Sequence, residues 1–455
     1  MKIFILNPNF NEEKKSIMNV RARQPLSLAI IASILRNDGY QIKLLDANVL
    51  NFSFQQVLKS IKEYEPDILL LTSSPIDRWE CPNSHIDNIF NIINQAPARF
   101  KVLTGSHGTT MPEWVFANCR VDFIIRSEPE TAVKNLVAAL KDGRPIDKIV
   151  GLSWRQNGAI VNNSAERILN LDSLPFPAYD LLPMAEYGMG GLSKPFTILM
   201  TSRGCPFNCI FCLKAMLPDK YVERSVPKVI EEIEHLIKNY GIKSIFFQDW
   251  EFFINEHKVK EICDQLIERK LAISWAANAR ATDIIRAKDL MPLVRKAGCV
   301  KINIGLESAS DKVLKEINKQ ITSKDLQKAI DILKENNIVG GYYMLINAPG
   351  ENRETIRETM DFIAKNNLDV KPFLFPIPYP GTILFEKLKQ KYPHQKFDWS
   401  NIEKYAGSVD TQFSPFWSLW YLRNYKNQLK FGKLYLFSWS FWHDLFFRAT
   451  NRRSD

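Results

Sequence analysis

At 455 residues the chain exceeds what one hydrophobic core usually fills, so two or three domains are expected. Hydrophobic residues at 45% and charged residues at 24% describe an ordinary globular protein. The formal charge of +10 is scattered, with short dense groups at Lys14-Lys15 and Arg452-Arg453, which argues against a nucleic-acid-binding face and is accounted for equally by anionic ligands.

The opening MKIFILNPNF soon reaches the charged NEEKK and lacks a signal-peptide pattern, so the mature protein is expected to begin near Met1. No apolar run reaches the roughly 18 residues of a spanning helix; the best, Leu434 to Phe447, holds His443 and Asp444. Seven cysteines in a chain of this length argue against a disulfide framework and for a reducing, cytoplasmic location.

Short apolar strands then alternate with amphipathic helices: KIFIL, LSLAIIASILRNDG, QIKLLD, FQQVLKSIKEYE, DILLLT, NSHIDNIFNIINQA, FKVLTG, PEWVFANC, VDFIIR and TAVKNLVAALKDG. Repeated βα units predict a doubly wound parallel sheet over residues 1–150, Rossmann-like, with helices on both faces. Ligands bind such sheets at the strand carboxyl ends. Those ends carry Asn7-Pro8-Asn9, Thr72-Ser73-Ser74, Gly105-Ser106-His107-Gly108 and Arg126-Ser127-Glu128.

Residues 151–195 read as a hairpin around Asn157-Gly158, followed by the proline-punctuated linker LPFPAYDLLP. A second series, FTILMTSR, SIFFQD, AISWAANA, VKINIG, GGYYMLI and VKPFLF, runs over 196–385 with helices between. Six βα units predict an open partial barrel of TIM type, with its active face at the strand carboxyl ends. Residues 386–455 are expected from the sequence to form an aromatic-rich, helical C-terminal region. Its tail, LYLFSWSFWHDLFF with Arg448, Arg452 and Arg453, suits either a peripheral membrane contact, a lid over an apolar substrate, or a helix packed on the barrel.

Cys205, Cys209 and Cys212 follow the first barrel strand in TSRGCPFNCIFC. Three thiolates can hold three irons of a four-iron cluster and leave the fourth open. A zinc site would want a fourth ligand at comparable spacing, and the nearest, His235, falls on a downstream helix. The CxxxCxxC pattern, with Phe211 before its last Cys, resembles the signature of the radical S-adenosylmethionine superfamily. The resemblance implies a 4Fe–4S cluster whose open iron chelates S-adenosylmethionine and cleaves it to a 5′-deoxyadenosyl radical. It also implies an electron donor such as a flavodoxin or ferredoxin.

Further matches assign S-adenosylmethionine contacts position by position. In QDWEF, Asp249 matches one of the acidic residues that accept from the substrate amino group and Trp250 replaces the usual second Asp, so the resemblance leaves the role to either Asp249 or Glu251, with helix capping as the structural alternative for both. Arg280 would pair with the carboxylate. Glu307 and Ser308 of GLES would face ribose or methionine, with capping by Ser308 as the alternative. YMLINAPGEN resembles the family's YMxGxPGE with Asn347 for Gly, and PYPGT at 378–382 resembles the close of the barrel in the cobalamin-binding branch.

The N-terminal TGSHGTTMPE and DFIIRSEPETA resemble that branch's GGxHxTxxPE and DxxxxGEGE, with Ser106 and Ser127 replacing glycines. The implied cobalamin contacts are Thr72, Ser73, Ser74, Gly105, His107, Gly108 and Glu128. The Asp-x-His-x-x-Gly loop that supplies a lower cobalt ligand in some relatives reads NPNFNEE instead, so no protein histidine is expected below cobalt. The resemblance points to a cobalamin-dependent methyltransferase acting on an unactivated carbon of a small or lipid-like substrate. An oxidative cyclase or rearrangement enzyme, and a non-catalytic corrinoid or metal sensor, are the alternatives. Cys81 and Cys119 are too few for the second cluster of methylthio transfer.

Overall fold

The computed structural model describes residues 1–9, 23–78, 82–218, 220–370 and 373–411. The aromatic tail and its three alternatives lie outside the described residues. Among those described, no helix is long and apolar enough to cross a membrane.

The N-terminal half is a seven-stranded sheet of β1 (Lys2–Asn7), β2 (Gln41–Asp46), β3 (Ile68–Thr72), β4 (Phe100–Thr104), β5 (Phe123–Ile125), β6 (Leu152–Gln156) and β7 (Ala159–Asn162). Their order is β2-β1-β3-β4-β5-β6-β7, and the first five are parallel. Alternation along β1 explains the two-faced burial. Ile3 and Ile5 pack with Leu28, Ile31 and Leu35 of the helix Leu26–Asn37, while Phe4 and Leu6 pack with Val57 and Ile61 of the helix Phe54–Tyr64. The second helix begins with a capping box between Ser53 and Gln56.

The hairpin departs from expectation. It belongs to this sheet: β6 pairs antiparallel with β5, Phe123 opposite Trp154, and makes the sheet mixed. Leu152, Ser153 and Trp154 are buried, so the apolar start of the hairpin finds its partner in the short β5. The turn itself follows the sequence, since Asn157 and Gly158 both have positive φ (51° and 83°), the I′ geometry that matches strand twist.

The second half holds β8 (Phe196–Leu199), a two-stranded ladder of β9 (Ser202–Arg203) and β10 (Val222–Glu223), then β11 (Ser244–Phe247), β12 (Ser274–Ala279), β13 (Cys299–Glu307), β14 (Val339–Leu345) and β15 (Phe373–Leu374). The strands β8, β11, β12, β13, β14 and β15 pair in sequential order, all parallel, as an open six-stranded barrel wall. The helix Ile383–Lys391 crosses the expected boundary at 385/386 and docks on the cysteine loop, the Leu384 amide donating to Ile210 O at 2.9 Å.

The two halves interlock through buried polar groups. The Gln24 side chain donates to Phe196 O and accepts from the Ile198 amide, both at 3.2 Å, along β8. Tyr187 donates to Asp46 at 2.6 Å and Tyr179 to Glu232 at 2.6 Å. Gln248 Nε2 donates across to Asp77 O at 3.0 Å, and the Asp77 carboxylate, held within its own half by the Ser27 amide and hydroxyl at 2.9 Å, is pushed by burial up to about 6.

Candidate functional site

The three cysteines sit on a loop whose neck is closed by β9 and β10, directly beyond β8. Gly204 has φ +91°, and a Cβ there would lie 2.2 Å from Lys220 O, so only glycine lets the two sides of the neck meet. The loop is pinned elsewhere as well. The Ile210 amide donates to Ile317 O at 3.2 Å, and Asn318 Nδ2 donates to Asn208 O at 2.8 Å.

Cys205, Cys209 and Cys212 are all free and half-buried. Burial pushes the Cys205 thiol up to about 12 and raises that of Cys212 further, each also repelled by other thiols of the triplet. Among the described residues no three His, Cys, Asp or Glu side chains converge tightly enough to ligate one ion. Three neighbouring thiols on one loop suit three irons of a four-iron cluster.

Charge gathers around this loop. Arg280 is buried; its guanidinium lies 3.8 Å from the Phe207 ring centroid, Nη1 is 3.7 Å from Cys209 Sγ, and Nη2 donates to Lys319 O. Lys319 pairs with Glu307 Oε1 at 2.9 Å, and Glu307 sits at φ +57°, where β13 ends in a register shift. Glu251 is pushed by burial up to about 8, against the pull of Lys319. Its Oε2 and Arg280 Nε are buried without partners among the described residues, as is Oδ2 of neighbouring Asp283. Unpaired buried polar atoms of both signs fit the zwitterionic end of S-adenosylmethionine.

The sequence-named residues divide here. Glu251, Arg280 and Glu307 gather near the cysteines. Asp249 does not present an open carboxylate: fully buried, it accepts from the Thr201 amide at 2.8 Å, the Thr201 hydroxyl at 2.8 Å and the Ser202 amide at 2.6 Å, and so fastens the end of β8. Ser308 does not cap the helix Asp311–Glu316, whose cap position is Ser310; its hydroxyl accepts from the Ser310 amide at 3.1 Å and hydrogen-bonds Thr359 at 3.0 Å, which ties the end of β13 to a neighbouring helix. Phe211 packs on the main core. Sequence reading missed Lys319 and Phe207; the latter's signal was its place inside the triplet.

In the N-terminal sheet, β2 and β3 flank β1, so the strand order reverses at the carboxyl ends of β1 and β3, the usual ligand crevice. Two buried oxygens there, Asn7 Oδ1 and Thr72 Oγ1, have no partner among the described residues. Gly105 has φ +99°, and a Cβ would lie 2.6 Å from Ser74 O and 2.7 Å from Thr72 Oγ1. Ser73 Oγ accepts from the His107 amide at 3.2 Å, and Ser74 Oγ from the Asn83 amide at 3.1 Å. His107 is buried and pushed by burial down to about 4, so it is neutral at ordinary pH. Orphaned oxygens, hydroxyls and a glycine-floored bend fit the edge and tail of a cobalamin.

Two expected cobalamin contacts are corrected. A Cβ at Gly108 would lie 2.6 Å from Ile124 Cγ2, so this glycine serves close packing on β5. Glu128 is bonded to Arg203 at 2.9 Å, Arg167 at 2.8 Å and the Ile168 amide at 2.8 Å, with no exposed side-chain surface. Burial alone would raise its carboxyl, but the two arginines hold it below the usual range.

The two sets of strand ends meet. A cleft is lined by Ser106, His107 and Thr110 on one side and by Leu213, Tyr379 and Trp399 on the other, so the bend after β4 faces the turn after Cys212. Ile76, Trp250, Leu213 and Tyr379, with Cys205 and Cys212, form an apolar cluster between the halves.

Residues 199–363 match the radical SAM superfamily, and residues 23–137 match the B12 binding domain. The chain is 34% identical to an uncharacterized methyltransferase of Pyrococcus horikoshii, over 85% of this chain and 83% of that protein. It is 31% identical to an anaerobic magnesium-protoporphyrin IX monomethyl ester cyclase of Rubrivivax gelatinosus, over 89% of this chain and 72% of the relative. In fold it is similar to the cobalamin-dependent S-adenosylmethionine radical enzyme OxsB, with a TM-score of 0.75 at 19% identity, covering 94% of this chain and 66% of that one. The chain therefore belongs to the radical S-adenosylmethionine enzymes that carry a B12 binding domain, a family whose cofactors are a 4Fe–4S cluster, S-adenosylmethionine and cobalamin.

Proposed function

We propose that the chain is a cobalamin-dependent methyltransferase acting on an unactivated carbon of a small or lipid-like substrate, reduced by a flavodoxin- or ferredoxin-like donor in the cytoplasm. The observation that carries this reading is the apposition of the bend after β4 to the turn after Cys212, which leaves both cofactor crevices opening toward one another. The 34% identity to a methyltransferase points the same way. When bound, the cluster and S-adenosylmethionine supply a 5′-deoxyadenosyl radical, and cobalamin supplies a transferable methyl group.

The chain's own residues bind and exclude. Cys205, Cys209 and Cys212 hold the cluster. Glu251 Oε2 accepts from the methionine amino group, and Arg280 and Lys319 offset the carboxylate. Thr72, Ser73 and Ser74 line the cobalamin tail, with Gly105 leaving room for it. Trp250, Leu213 and Tyr379 keep water from the space between, which limits quenching of a radical.

The 31% identity to a cyclase favours a second reading, radical oxidative cyclisation. Anaerobic turnover with reductant and candidate substrates separates the two. Methyl transfer yields S-adenosylhomocysteine together with 5′-deoxyadenosine; 5′-deoxyadenosine alone, with a substrate that loses hydrogen and gains no carbon, would sink it in favour of cyclisation.

A further inference from the structure

Four charged side chains from three segments are buried together between the halves. Glu128 and Glu130 have no exposed side-chain surface, Arg203 has 2% and Arg167 has 7%. Arg203 Nη1 donates to Glu128 Oε1 at 2.9 Å and Nη2 to Glu130 Oε1 at 2.6 Å. Arg167 Nε donates to Glu128 Oε2 at 2.8 Å.

Both arginines bear on the neck of the cysteine loop, Arg203 as part of it and Arg167 from the segment that precedes β8. Arg203 forms β9, two residues before Cys205. Arg167 Nη1 donates to Pro218 O at 2.9 Å and Lys220 O at 2.7 Å, and Nη2 to Arg203 O at 3.5 Å, so one guanidinium clasps both sides of the neck. Glu128, at the carboxyl end of β5, holds the clasp and the neck at once.

A buried ion network gives little stability over apolar packing of equal volume, and its best-attested use is to fix register. We propose that Glu128 is a positioning residue: through Arg167 and Arg203 it fixes the cysteine loop relative to the strand ends of the N-terminal sheet, and so sets the separation of cluster and corrin. This goes beyond the choice between methylation and cyclisation and holds under either.

The test uses the full chain and the Glu128→Gln variant, which keeps volume and removes the charge. Amide hydrogen exchange in the unloaded protein is expected to quicken at least about tenfold over residues 204–220, since two charge-assisted bonds are weakened, while peptides from β11 and β12 keep their wild-type rates. In protein loaded with cobalamin and reconstituted with iron and sulfide, pulsed dipolar EPR between Co(II) and the reduced cluster is expected to give a broader distance distribution at unchanged iron content. Arg167→Lys, which keeps the charge but cannot span both carbonyls and the carboxylate, should fall between. Wild-type exchange over 204–220 in folded Glu128→Gln, or an unchanged distance distribution, overturns the proposal. If Glu128→Gln does not fold, Arg167→Gln is measured in the same two ways, and wild-type exchange or an unchanged distribution in that variant overturns the proposal equally.

Discussion

At the carboxyl ends of the barrel strands, Glu251, Arg280, Glu307 and Lys319 crowd charges of both signs around a thiol loop. At the facing ends of the N-terminal sheet, Asn7, Thr72, Ser73, Ser74 and Gly105 offer neutral groups, the nearby Asp46 carboxylate is already taken up by Asn7 and Tyr187, and His107 is held neutral by burial. The contrast follows the ligands each crevice suits. A zwitterionic methionine needs opposed charges fixed in place, because a buried charge without a partner is costly. A corrin edge and its tail need room and hydrogen bonds, which hydroxyls and a glycine bend supply without desolvating an ion.

The comparison can be broken at either side. Cys209→Ala should have the largest effect, reducing cluster iron sharply and abolishing reductive cleavage of S-adenosylmethionine, with cobalamin binding intact; iron analysis and 5′-deoxyadenosine detection check this. Glu251→Gln should raise the KM for S-adenosylmethionine by about 10- to 100-fold, since a bond to a charged group is lost. An unchanged KM would mean that the orphaned Oε2 is not the amino acceptor. Asp249→Asn separates its neighbour's role from its own. One of its two oxygens becomes a donor facing the donors of Thr201 and Ser202, so denaturant titration should show a stability loss of about 2–3 kcal/mol, with the KM left near wild type.

On the neutral side, Gly105→Ala places a side chain at φ +99° against Ser74 and Thr72, for a stability loss of about 1–3 kcal/mol. Cobalamin retention should fall while iron content stays, measured by absorbance and metal analysis. The smallest effect at neutral pH belongs to His107→Gln. Native His107 takes up a proton only near about 4 against an ordinary 6.5, so the unfolded chain binds more protons between those values and stability falls as pH drops through that window. The variant should flatten this fall by up to about 3 kcal/mol at its acid end; equal slopes for both proteins would show that His107 is not buried neutral.

Much of the architecture was legible because burial leaves a pattern. KIFIL and DILLLT read as strands covered on both faces, and six βα repeats read as an open barrel. The thiol triplet was legible because its spacing and its place after a strand are local. What stayed hidden depends on partners distant in the chain. Nothing within SEPE says that Glu128 turns toward Arg203 instead of the cobalamin crevice. Nor does QDWE say that Asp249 is consumed by the Thr201 and Ser202 donors while Glu251, two residues on, keeps an oxygen unpaired. The apolar LSW of β6 was likewise readable as a strand, but its pairing with β5 was not. Gly108 shows the limit for glycines: the motif marks it, and only the packed Ile124 says why.

The Gln24 amide lies against Phe196 and Ile198 as another strand's peptide group would, on the side of β8 that, among the described residues, pairs with no strand. An open barrel wall keeps an unpaired border, and such borders recruit other chains. Here one side chain from the N-terminal half blocks it. A barrel severed from that half would carry a sticky margin, so the two halves are poor candidates for independent exchange between proteins: each shields the other from self-association as well as supplying a cofactor.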